Sequence, residues 1–147
     1  VAEEMLGKVP ALELCVSNAD KVGVSLFEIW DRVFQIATVL PPDKTYNLYM
    51  TRATRFMDKA AMFPGSTFLV GMDTAMRIVD PKYADLSDVK SSFETNGIRF
   101  LVFGRNVNGA FEGSHSQLGF LSPLSVVVPE RVFRSDISSS QVRKGAQ

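Results

Sequence analysis

The chemistry most legible in this chain is the capture of a phosphate-like anion. Ile137, Ser138, Ser139, Ser140, Gln141, Val142 and Arg143 follow one another directly. A helix expected over residues 136–144 opens on this serine cluster, so three hydroxyls would converge with its free backbone amides on one point. The helix dipole favours negative charge there, and Arg143, one turn in on the side of Ser139 and Ser140, adds a planar fork of donors. The plainer alternative is an ordinary serine cap followed by a solvated arginine. A second group sits in Phe68, Leu69, Val70, Gly71, Met72 and Asp73. Glycine at the carboxyl end of a strand lets a ligand approach the backbone, and Asp73 either faces that ligand or caps the next helix. Arg105, beyond a strand ending at Gly104, can face the same cleft. Asn18 and Lys21 follow an earlier strand and can meet a second substrate, or can simply shape and solvate a turn.

These positions need a scaffold, and the hydrophobic pattern supplies one. Short continuous runs rich in β-branched and aromatic residues lie at 11–16, 46–50, 67–71, 99–104 and 125–128. Such runs suit buried strands of a parallel sheet. Helical patterns lie between them. Over 25–40, Leu26, Ile29, Trp30, Val33, Ala37 and Leu40 recur at helical spacing, Ser25 and Glu28 form a capping box, and Pro41 and Pro42 end the helix. Further helices are expected over 54–62, from about 73 to 79, and over 86–95 with Gly97 as its cap. Trp30 and the methionines at 50, 57, 62, 72 and 76 read as core filling, Cys15 as a small core residue, and 106–123 as a long loop. Alternation of strand and helix predicts a layered α/β fold with a mostly parallel sheet. Gly71, Asp73, Arg105, Asn18 and Lys21 all fall just beyond strand ends, where ligands bind in such sheets.

The residues from Ile137 to Arg143 are similar to the Ile-Ser-Ser-Thr-x-Ile-Arg signature of the nucleotidylyltransferase superfamily, with serine for threonine at 140 and valine for isoleucine at 142. Gly71, Met72 and Asp73 resemble that superfamily's strand-end Gly-x-Asp. The order of Ser17–Lys21, Phe63–Ser66, Gly71–Arg77, Asp80–Tyr83 and Phe133–Ser139 resembles a eukaryotic branch that in plants is joined to a CinA-like domain. The likeness covers nearly the whole chain. It implies a three-layer α/β/α Rossmann-like domain over residues 1–147 with its first strand missing. It also implies that Gly71, Asp73, Arg105, Ser138, Ser139, Ser140 and Arg143 contact nucleotide or phosphate, and that Asn18 and Lys21 contact the acceptor. The superfamily's His-x-Gly-His motif has no counterpart here. The single histidine, His115, lies in the Gly/Ser-rich stretch and reads as an exposed loop residue. No catalytic histidine can therefore be assigned, and the chain as written is expected to be catalytically incomplete.

Composition narrows the remaining classes. The 147 residues carry 16 basic and 16 acidic side chains, so neither a nucleic-acid surface nor a polybasic membrane patch is expected. One cysteine admits no internal disulfide, which fits a reducing, cytoplasmic setting. No Gly-x-Gly-x-x-Gly follows a strand, which argues against a dehydrogenase. No His/Cys/carboxylate cluster has metal-ligand spacing, so magnesium is expected only as the companion of a nucleoside triphosphate. The expected partners are ATP or CTP and a small phosphorylated acceptor, and a homo-oligomer is compatible with the balanced charge. The expected activity is nucleotidyl transfer, adenylyl first and cytidylyl second, with release of pyrophosphate. The competing expectation is a non-catalytic nucleotide-binding or regulatory domain.

Overall fold

The elements form where local chemistry and hydrophobic pattern agree, as the computed structural model of the chain shows for residues 1–17, 25–107 and 110–133. Asn18, Lys21, Ser138, Ser139, Ser140 and Arg143 lie outside the described residues. The chain divides into two compact units, one of residues 2–59 and one of residues 60–147 with Val1.

In the first unit, α1 (Ala2–Leu6) precedes β1 (Leu12–Cys15), α2 (Leu26–Val39), β2 (Leu48–Thr51) and the start of α3 (Phe56–Met62). The expected capping box is present: Glu28 N donates to the Ser25 hydroxyl, and the Glu28 carboxylate accepts from Ser25 N at 2.9 Å. Strands β1 and β2 pair in parallel, with Leu14 opposite Met50 and Cys15 opposite Thr51. Both strands are only partly covered, and Tyr49 and Met50 are exposed. Burial on both faces, expected from the apolar runs, does not hold here. Trp30 is likewise no core residue. It is 69% exposed because α2 carries more apolar surface than the half-buried Ile29, Val33 and Ile36 stripe uses.

The second unit holds the core. Strands β3 (Thr67–Gly71), β4 (Arg99–Phe103) and β7 (Ser125–Val128) form a parallel sheet in the order β3-β4-β7. Central β4 is the most buried, with Phe100, Leu101 and Val102 at 2% exposure or less. Helix α4 (Met72–Ile78) follows β3, and α5 (Leu86–Thr95) precedes β4. The end of α5 is set by Gly97, whose φ of 63° is the left-handed conformation that glycine adopts without strain. Ile98 N then donates to Phe93 O and Gly97 N to Glu94 O, a Schellman closure. Phe93 and Ile98, brought together by that closure, are both buried. The ring of Phe93 packs at 5.1 Å from Phe100. Of the methionines, Met72 is buried, whereas Met50, Met62 and Met76 are exposed, so core filling holds for the first alone among these four.

Residues 106–123 are not one long loop. An antiparallel hairpin of β5 (Arg105–Val107) and β6 (Ala110–Glu112) comes first. Two 3₁₀ turns follow, His115–Gln117 and Gly119–Leu124, and bury Leu118 and Leu121. The chain is therefore mixed α/β, with parallel pairing in β1-β2 and in β3-β4-β7 and antiparallel pairing in β5-β6. Among the described residues, no helix is long and apolar enough to cross a membrane.

Candidate functional site

The geometry of interest lies at the carboxyl ends of β3 and β4. In the parallel register Gly71 stands opposite Phe103, so both strands finish at one level. From Gly71 the chain enters α4 directly; from Phe103 it passes through Gly104 into the hairpin that begins at Arg105. This shared level brings Asp73 and Arg105, 32 positions apart in sequence, into an ion pair with Arg105 Nη1 at 2.9 Å from Asp73 Oδ2. Both side chains are part-exposed, at 46% for Asp73 and 37% for Arg105.

Asp73 is not the cap of α4. Gly71 holds the N-cap position, with no side-chain hydrogen bond closing the helix start. Asp73 sits inside the first turn, where a negative charge is favoured, and its carboxylate turns to Arg105 instead. Space above Gly71 is open: a Cβ built there would meet no atom within 4 Å. The site thus presents bare backbone beside a carboxylate and a guanidinium.

Arg105 carries an unsatisfied donor. Its Nε is shielded from solvent and has no hydrogen-bond partner, while Nη1 is engaged by Asp73. An unpaired buried donor is costly, and a guanidinium held from one side by a carboxylate presents its remaining N–H groups in a fixed fork. Such a fork is suited to a planar or tetrahedral oxyanion.

Gly104 explains how the hairpin reaches this position. A Cβ on it would lie 2.3 Å from Phe111 Cζ and 2.6 Å from Glu112 O. The Phe111 ring therefore rests on the Gly104 backbone, with the next carbonyl beside it. A Cβ on Gly113 would also meet the ring, at 2.4 Å. At the same end of the sheet, Val128 of β7 pairs with Phe103. The chain then turns through Pro129, with Val132 N and Phe133 N donating to Pro129 O. Phe133 packs edge-on against Phe103 at 5.3 Å, four positions before Ile137.

The sequence-predicted residues thus divide. Gly71, Asp73 and Arg105 are brought together. His115 lies in a 3₁₀ turn, exposed, with Nδ1 at 3.5 Å from Ser122 Oγ. Cys15 is half-buried and its thiol donates to Ser17 O at 3.3 Å.

One polar cluster was not anticipated. Glu13 accepts from the Thr51 hydroxyl and from Lys59 Nζ, the latter at 2.6 Å, with the Lys59 and Glu13 side chains 14% and 23% exposed. Its signal was a glutamate inside the apolar run of residues 11–16, since a largely covered carboxylate demands a partner. Two surface carboxyls are held below the usual range: Asp58 by the bidentate Arg55 guanidinium, and Asp85 by the Ser87 hydroxyl and amide. Among the described residues, no three His, Cys, Asp or Glu side chains converge on a metal-sized site.

No family model, curated protein or solved structure matches the chain.

Proposed function

We propose that this chain binds a nucleoside triphosphate at the carboxyl ends of β3 and β4, as part of a three-layer, Rossmann-like nucleotidyltransferase domain of the cytoplasm. The observation that carries the reading is the part-exposed Asp73–Arg105 pair at the strand ends beside the open backbone of Gly71. A triphosphate oxygen would accept from the part-exposed guanidinium of Arg105, a charge-assisted hydrogen bond that offsets phosphate charge. The hydroxyls of Ser138, Ser139 and Ser140 and the guanidinium of Arg143 would hold the remaining phosphates, as the resemblance implies. Their sequence position, shortly after Phe133, is compatible with this sharing. Asn18 and Lys21 would meet the phosphorylated acceptor.

In the reaction this implies, an acceptor phosphate oxygen attacks the α-phosphorus of the nucleotide. The bond from that phosphorus to the bridging oxygen breaks, and pyrophosphate leaves. No covalent protein intermediate is needed, so positioning and charge neutralisation carry the catalysis. Magnesium would arrive with the triphosphate. Adenylyl transfer to a mononucleotide is the first expectation and cytidylyl transfer the second.

A non-catalytic nucleotide-binding module is the second reading. It is favoured by one observation: the single histidine, His115, is exposed in a 3₁₀ turn and contacts Ser122 rather than the Asp73–Arg105 pair. Titration calorimetry with ATP and CTP tests the shared claim of both readings. Heat of binding that falls about 10–100-fold in affinity for Arg105→Ala, the loss expected for a hydrogen bond to a charged group, supports it. The same loss is expected for Arg143→Ala. Absence of heat with either nucleotide, or unchanged affinity in both variants, rejects it. Pyrophosphate release with a phosphorylated acceptor then separates enzyme from binding module.

A further inference from the structure

Helix α2 has two apolar stripes where a helix on one sheet needs one. At about 100° per residue, Ile29, Val33 and Ile36 fall within one narrow arc and are half-buried. Leu26, Phe27, Trp30, Phe34 and Ala37 fall on the adjoining arc, and all are exposed. Exposure reaches 75% for Leu26, 81% for Phe27 and 69% for Trp30 and Phe34. Glu28, Asp31 and Gln35 occupy the opposite face, with Gln35 Nε2 donating to Asp31 at 2.8 Å. The second stripe is therefore a bounded apolar surface and no scatter of single side chains.

Its size is that of an interface. Three aromatic side chains of about 150–250 Å² each leave on the order of 450 Å² uncovered at these exposures. With Leu26 and Ala37 the stripe approaches the roughly 800 Å² per partner that a stable complex buries, and it exceeds the scattered apolar surface of ordinary monomers. Residues 18–24 and 134–147 offer Ala19, Val22, Val24, Ile137, Val142 and Ala146 as apolar side chains, none of them aromatic.

The spacing of the stripe points to its occupant. If two copies of α2 cross antiparallel about a twofold axis near residue 32, positions that add to 64 face one another. Trp30 then meets Phe34 of the second copy, and Phe27 meets Ala37. Large residues lie opposite small ones and aromatic opposite aromatic, the reciprocal contact of an isologous pair. We infer that the exposed stripe of α2 is a self-association surface, and that its partner is a second copy of this chain in antiparallel register. This inference stands apart from the nucleotide reading, since none of its residues takes part in that site.

Trp30 is the chain's only tryptophan, so its fluorescence reports on this surface alone. Sedimentation of the full 147-residue chain should give the mass of two chains. Trp30 emission should move to shorter wavelength with rising concentration. Phe34→Asp places an unpaired carboxylate opposite Trp30 and should weaken association at least 30-fold, the loss typical of a central aromatic anchor. That variant should give a one-chain mass and long-wavelength emission with unchanged far-UV dichroism. Ala37→Glu should do the same from a position whose loss removes no large side chain. A one-chain mass at all concentrations overturns the inference, whether Trp30 emits as a solvated residue or as one covered within its own chain. A two-chain mass indifferent to both variants overturns it equally, since the chain would then associate through another face.

Discussion

Replacing Gly104 by alanine tests the contact that holds the β5–β6 hairpin beside the sheet. The added Cβ would stand 2.3 Å from Phe111 Cζ and 2.6 Å from Glu112 O, both well inside van der Waals contact. The ring could be relieved by rotation, but the carbonyl is backbone of β6, so the hairpin itself must shift. Overpacking of this kind costs about 1–3 kcal/mol. Loss of glycine's freedom in the unfolded chain returns about 0.4–1 kcal/mol. A net destabilisation of about 1–2 kcal/mol remains, which for a chain of this size lowers Tm by about 3–6 °C. Thermal melts followed by circular dichroism would measure it, alone and in a Phe111→Ala background. In that background the ring contact is gone and only the carbonyl contact remains, so Gly104→Ala should cost less than in the wild type. A melt unchanged by Gly104→Ala would refute the close approach. An equal cost in both backgrounds would refute the role assigned to the Phe111 ring.

Three further outcomes are expected. Phe93→Ala, which empties a fully buried position in ring contact with Phe100 and Phe120, should destabilise the chain by about 3–5 kcal/mol in urea titrations. Asp85 accepts from the Ser87 hydroxyl at 2.6 Å and from its amide, which lower its pKa on folding. A carboxyl lowered in this way contributes stability above its unfolded pKa, and the contribution is lost as pH falls through the folded value. Tm should therefore decline less steeply below about pH 4 in Asp85→Asn than in the wild type, a comparison of melts across acid buffers. Arg105→Lys keeps the charge but not the planar fork, so it should restore only part of the nucleotide affinity lost in Arg105→Ala, as calorimetry would read.

Sequence was most informative where structure is local. The Ser25 and Glu28 cap, the span of α5 and its closure at Gly97, and β3 and β7 follow from residues within a turn or two of each other. Long-range consequences were not readable in this way. Capping stayed open as the alternative for Asp73 because it is a neighbour effect, whereas its partner Arg105 is fixed by the parallel register of β3 and β4. The run from 106 to 123 looked like a loop because glycine is common there. Gly113 and, just upstream, Gly104 serve instead to admit the Phe111 ring, which composition does not encode. Periodicity found the apolar arc of α2 but could not say that the sheet covers only part of it, and Trp30 was misplaced for that reason.

The unequal burial of the two units has a consequence for how a ligand would be received. Fully covered side chains such as Met72, Phe93, Phe100, Val102 and Val128 belong to the unit that carries Gly71, Asp73 and Arg105, whereas Ala53 and Thr51 are the only covered positions among the described residues of the other. Amide hydrogens of central, buried β4 should then exchange only through global opening, and those of β1 and β2 through cheaper local events. A nucleotide arriving at Arg105 would meet a strand-end frame already ordered. Little of its binding free energy would be consumed in arranging the protein, and affinity would follow the quality of the phosphate contacts themselves.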